Sequence, residues 1–263
     1  MHCKNCNSNL SSKHKYCYDC GAKVITQRLT LKHIVANVNA QFFNYDNKFL
    51  KTFLHLLSKP ELVIEGYING VRKKYINVIQ YLAISLTLTG LYFFILNTFY
   101  DNPFAIDSSI FIANSEAVKN PESIKEITEQ TSKIMGNYYS LIYIISIPIS
   151  AIITWLVFYF SDRKYNYTEH IILNTYYSSQ LSLINITLGI ILVTFGINYM
   201  NTSLILTPIS FLYLAYIFKR VYKLSFFMAF VNILLFGVFY TVTFAIVGVI
   251  VVLIGFIIVL IMK

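Results

Sequence analysis

Long uncharged stretches broken by short polar or basic ones set the pattern of this chain from residue 76 onward. Residues 76–100 and 137–161 each run 25 positions without Asp, Glu, Lys or Arg, enough for a tilted helix across about 30 Å of hydrocarbon. Pro148 predicts a kink in the second. Residues 171–218 are uncharged for 48 positions, too many for one span, and the polar turn at 196–203 divides them into a third and a fourth. The last run, 224–262, lasts 39 residues. As one helix at ~1.5 Å per residue it would be roughly 58 Å long, so it either folds back near 240–243 as two short spans or protrudes. The stretch 101–137 reads as an extracytoplasmic segment, in which 121–135 has Ile124, Ile127 and Met135 spaced like one face of a surface helix.

Ahead of the first span the pattern changes. Leu31, Ile34, Val35, Val38, Phe42, Tyr45, Phe49, Phe53 and Leu56 recur in steps of three and four, the signature of an amphipathic helix, with Asp46 and Asn47 dividing it into two. Such a helix beside a membrane domain lies in the lipid interface or packs on the mouths of the spans. His33 and His55 in this region read as solvated surface residues. Ser58-Lys59-Pro60-Glu61 has the form of a capping box with proline near the first helical position, opening a short helix over 61–68 that ends near Gly70. Arg72, Lys73 and Lys74 then form a basic cytoplasmic anchor at the membrane interface, with an anionic-lipid site as the alternative reading.

Composition narrows the class. Only 13% of the 263 residues are charged, against about a quarter in a soluble domain, and 56% are apolar, with a mean hydropathy of +0.60. A disordered chain, a fibrous repeat and an ordinary soluble globule are excluded. The fold class is an all-α polytopic membrane protein of five or six spans. Of the +9 formal charge, most lies before the first span, since residues 1–75 hold 12 Lys and Arg against 4 acids, while 101–137 hold 3 against 6. The amino end, Arg163-Lys164 and the 219–223 cluster therefore share the cytoplasmic side of the membrane, and Lys263 joins them if there are six spans, which favours six.

All four cysteines fall in the first 20 residues as two hooks, Cys3-Lys-Asn-Cys6 and Cys17-Tyr-Asp-Cys20, with ten residues between them. Two C-x-x-C hooks supply the four thiolates of a closed tetrahedral structural zinc, and Gly21 lets the chain bend beside the second. So few residues build no core, so the metal supplies the folding energy. No apolar leader precedes the hooks, which places the thiolates in the reducing cytoplasm. His2 and His14 are nearby substitutes, but four cysteines already fill the shell. Three domains result: a zinc ribbon at 1–23, a cytoplasmic amphipathic connector at 24–74 and a transmembrane domain at 75–263. The scattered ribbon lysines form no basic-aromatic stripe, so no nucleic acid is expected.

Inside the spans no charged residue sits at mid-depth, which counts against an ion-coupled pump. No H-E-x-x-H, G-x-S-x-G or phosphate loop occurs, and no catalytic residue is assigned. Asn174, Ser178, Ser182 and Asn185 share one face of the third span, as interhelical hydrogen-bonding groups or a polar path. Glu169 and His170 sit at its cytoplasmic mouth and read as a polar lipid-interface anchor, since adjacent positions point about 100° apart on a helix and make a poor joint site.

A two-hook ribbon, then FLKTFLHLLSKPELVIEGYINGVRKKYIN, then YNYTEHIILNTYY between spans resembles an uncharacterised bacterial family of zinc-ribbon, multi-pass membrane proteins (domain of unknown function 3667). The resemblance is most specific at Pro60, Tyr67, Gly70, Arg72, Tyr75, Glu169 and His170, and departs where Val78 follows Asn77 in place of the family's usual proline. The membrane half is also loosely similar to the Yip-type multi-pass fold. The resemblance implies a cytoplasmic-membrane location and brings no catalytic residues. The expected function is a non-enzymatic adaptor whose ribbon recruits a protein partner; a transporter or channel for a small or lipidic substrate, and a lipid-acting surface enzyme, are the alternatives.

Overall fold

A computed structural model describes residues 1–11, 13–24, 30–32, 47–99, 121–159, 164–197 and 199–261. The chain divides into two compact units, Met1–Asn47 and Lys48–Lys263. Regular structure among the described residues is helical: α1 (Lys48–Ser58), α2 (Pro60–Ile68), α3 (Val78–Phe99), α4 (Pro121–Tyr159), α5 (Tyr167–Thr194), α6 (Tyr199–Val221) and α7 (Phe226–Ile261). The first helix expected in the connector, with Asp46, and the loop at 101–120 lie outside the described residues.

Five of these helices are long and apolar enough to cross a membrane: stretches Val78–Leu96, Tyr138–Tyr159, Tyr167–Thr194, Leu204–Val221 and Phe226–Val247. Large apolar side chains on their outer faces stand free of protein, with Ile79 72%, Leu212 70% and Phe227 71% exposed, as lipid-facing positions require. The expected fold-back at 240–243 does not occur. One helix runs from Phe226 to Ile261, so the described residues hold five candidate spans and not six. Its stretch around 240–243, Tyr-Thr-Val-Thr, contains no glycine or proline to end a helix. A second correction is of the same kind: the separate surface helix expected at 121–135 is the first part of α4, which runs without a break into the second span and through Pro148.

α5 is the central post. It packs against α3, α4 and α6 along its length and against α1 and α2 at its start. Leu173, Asn174, Thr175 and Tyr176 are consecutive and all buried, so α5 is enclosed on every side there, which is why no single apolar stripe marks it in the sequence. The largest core cluster gathers Leu56 of α1 and Val63 and Ile64 of α2 with Tyr81, Phe158, Tyr176, Leu214 and Phe218. The two short helices are therefore part of the bundle. α1 turns Thr52 and Leu56 inward and leaves Leu50, Leu54 and Leu57 exposed, so it packs on the spans with one face and keeps an apolar stripe on the other.

The capping box expected at Ser58–Glu61 does not form. Lys59 is the N-cap of α2 without a side-chain cap, and the Ser58 hydroxyl donates back to the Leu54 carbonyl (2.8 Å), because α1 continues through Ser58. Pro60 stands at the start of α2 as expected.

Candidate metal centre and the polar sites of the bundle

The two cysteine hooks adopt one backbone pattern twice, fourteen residues apart. The Cys3 amide donates to the Ser8 carbonyl (2.9 Å) as that of Cys17 does to Ala22 (2.8 Å), and the Asn7 amide donates to Cys3 (2.9 Å) as that of Gly21 does to Cys17 (3.0 Å). Bridges pair His2 with Asn9 and Tyr16 with Lys23. Each hook thus closes a tight turn onto the carbonyl of its first cysteine. The turn needs a left-handed residue just past the second cysteine, supplied by Asn7 (φ 65°) and Gly21 (φ 69°), the two types that adopt it at least cost.

This geometry brings all four sulfurs within 4.8 Å of one another. Cys3 and Cys20 Sγ lie 3.7 Å apart, and Cys6 and Cys17 Sγ 3.6 Å. A tetrahedron with metal–sulfur bonds of ~2.3 Å has edges of roughly 3.8 Å, whereas a disulfide bond measures about 2.05 Å. The four thiols are free. The donor set therefore fits one ion held by Cys3, Cys6, Cys17 and Cys20. Cys17 is pulled down to about 6 by the Cys20 backbone amide first and the Ser8 hydroxyl next, with burial opposing them, a shift toward the thiolate that a metal ligand must be. The Ser8 hydroxyl sits between two sulfurs, 2.8 Å from Cys6 and 3.3 Å from Cys17. His2 and His14 are not in the cluster: His2 Nδ1 lies 3.4 Å from the Asn7 carbonyl, and His14 Nδ1 accepts from the Ser11 amide (3.3 Å).

In the bundle, Glu169 and His170 part company. Asn166 caps α5, its Oδ1 accepting from the Glu169 amide (3.0 Å) while Glu169 Oε2 accepts from the Asn166 amide (2.7 Å). This is the reciprocal cap that Ser58 does not make. His170 points the other way and is buried. Its Nδ1 lies 3.0 Å from Thr154 Oγ1 and its Nε2 3.3 Å from the Tyr222 hydroxyl, whose ring is stacked 3.7 Å from Phe158.

The polar face expected on the third span is likewise divided. Asn174 Nδ2 donates to Thr154 (2.8 Å) and joins the His170 group; Ser178 is half-buried; Ser182 Oγ lies 2.6 Å from Thr89 Oγ1; Asn185 lines a cavity farther along. Gln180, also buried, accepts from the Tyr81 hydroxyl and donates to the Phe53 carbonyl (3.3 Å), tying α3, α5 and α1 together. It is one of three side-chain amides in the run 171–190, with Asn174 and Asn185, and that was the available signal for it.

Arg72, Lys73 and Lys74 are exposed, Arg72 over the Tyr67 ring and Lys74 over that of Tyr75, both at 5.4 Å. The cations that clasp the bundle are others. Arg220 makes a forked pair with Glu61, and Lys164 bonds Glu65 Oε1 (2.7 Å) and the Val221 carbonyl (2.9 Å). Burial pulls the Lys164 ammonium down, but its bonds to Glu65 and Tyr165 outweigh that and raise it. His55 is not a freely solvated histidine: its Nδ1 lies 2.8 Å from the Tyr75 hydroxyl.

The family model described as "Protein of unknown function (DUF3667)" matches residues 46–90, the segment from the start of α1 into α3. No curated protein and no solved structure matches the chain.

Proposed function

We propose that this is a multi-pass protein of a bacterial inner membrane whose cytoplasmic amino-terminal ribbon holds one structural zinc and recruits a protein partner. The convergence of four thiol sulfurs into one closed set carries the reading. Four sulfur ligands leave a zinc ion no open position for water, so the metal's work is to fold the hooks and not to activate a substrate. Once folded, the ribbon presents Tyr16 and Tyr18 at 58% and 71% exposure among scattered lysines, a surface suited to an acidic protein segment, since exposed tyrosines recurrently anchor protein contacts. The bias of lysine and arginine toward the amino end and the 163–164 and 219–223 segments supports a cytoplasmic ribbon.

The test is mass spectrometry of what copurifies with the full chain in mild detergent, intact against Cys17→Ser/Cys20→Ser, with zinc counted in both. One zinc per chain and a protein retained only by the intact form are expected. Equal recovery of the same proteins by both forms, or no zinc, overturns the proposal.

A further inference from the structure

A cavity of about 130 Å³ lies between α3, α4, α5 and α6, away from the His170 group. Thr89, Tyr139, Ser182, Asn185, Thr202 and Ser210 are in its wall, and eight of its eleven wall residues carry a hydroxyl or amide while none carries a charge. This is an uncommon lining for the interior of an apolar bundle, where each polar group without a partner is costly.

Thr202 and Asn185, both residues of the wall, each have a side-chain oxygen without a hydrogen bond. Thr202 Oγ1 belongs to a residue 1% exposed, and Asn185 Oδ1 is itself buried. Both are oxygens, and the amide oxygen only accepts, so an occupant must bring hydrogen-bond donors. The uncharged wall sets a second condition, because an ion would be stripped of water with nothing to balance it. Size sets a third: ~130 Å³ is the share of roughly four waters, about one glycerol. The wall is also shaped in advance. Gly189 lets the Tyr92 hydroxyl lie against the α5 backbone, where a Cβ would come within 2.6 Å of it, and Phe93 packs edge-on to Tyr139 at 4.7 Å.

We infer that this cavity is a binding site for a small uncharged solute with hydrogen-bond donors, a polyol or primary amide of about glycerol size. The inference stands apart from the zinc-ribbon reading, since no ribbon residue enters it.

The experiment uses the full chain, purified without polyols and placed in lipid nanodiscs, with glycerol as probe and mannitol as a size control in saturation-transfer NMR. Glycerol is expected to receive saturation from the protein and mannitol not. Thr202→Val, which keeps the shape and removes the hydroxyl, should weaken the glycerol signal at least fivefold. Asn185→Leu should do the same from α5, and Thr241→Val on α7 should leave it unchanged. If Thr202→Val only raises the melting temperature while the glycerol signal persists, or if water alone exchanges with the site, the cavity is a hydrated packing defect and the inference falls. Equal mannitol saturation also overturns it.

Discussion

The amino-terminal ribbon and the helical bundle are held by opposite means. The ribbon's core is Cys3, Leu10 and Cys17 with Ala22 and Val24 against them, and every backbone bond that shapes it closes within ten residues. The bundle's defining bonds reach far along the chain: Tyr81 to Gln180, Tyr176 to Ile76, and both Lys164 and Tyr165 to Glu65 join residues 99 or 100 apart. A short local unit has little apolar surface to bury, so under the proposed zinc reading its order would come from ligand bonds. A bundle has ample apolar surface but gains no hydrophobic drive between helices in lipid, so packing and interhelical hydrogen bonds choose which faces meet.

The sharpest way to break that comparison is to remove the metal. Chelation should withdraw binding energy on the order of 10 kcal/mol from the ribbon. All four thiols are then expected to become alkylable while the bundle's melting temperature stays put. A bundle that melts along with the ribbon would mean that the two units share their stability.

Within the bundle, Gln180→Leu should cost about 2 kcal/mol, because it leaves the buried Tyr81 hydroxyl without a partner and removes a second bond to the Phe53 carbonyl. Adding Tyr81→Phe should recover part of the loss in unfolding from mixed micelles, and equal losses in the single and double variants would remove Gln180 as a tie. Gly189→Ala should cost about 1 kcal/mol by pressing on the Tyr92 hydroxyl, with partial rescue by Tyr92→Phe.

The smallest effect is one of pH. Burial first, and then the charges of Lys74, Lys51 and Lys59, hold His55 below its ordinary value of 6.5. The unfolded chain takes up that proton first as pH falls, so stability should be full above about pH 6.5 and decline below it, levelling off once the pH is under the folded value. His55→Gln should flatten that slope in a melting series, and an unchanged slope would assign it to another group.

Particular residues show why some of this was legible beforehand. The cysteine hooks were, because spacing of two fixes their geometry locally, and so was the break after α5, where Gly196 follows the last helical turn. The capping box was assigned to Ser58, where the S-x-x-E pattern stands, and found at Asn166–Glu169, because Ser58 is still engaged in the preceding helix. Asn174 and Asn185 share a face of α5 by spacing, yet one meets Thr154 on α4 and the other lines the cavity, a difference set by what packs against each level of that face.

Length and charge of the apolar runs determine that this chain has membrane-length helices, and the cysteine spacing determines a four-sulfur cluster, because both depend on residues near one another in sequence. The tertiary structure alone decided that α1 and α2 belong to the bundle, that the last run is one helix, that His170 is buried while Glu169 caps, and that uncharged polar groups from four helices surround one cavity. Those outcomes depend on which helix faces meet, and in a bundle joined by contacts a hundred residues apart that is a property of packing.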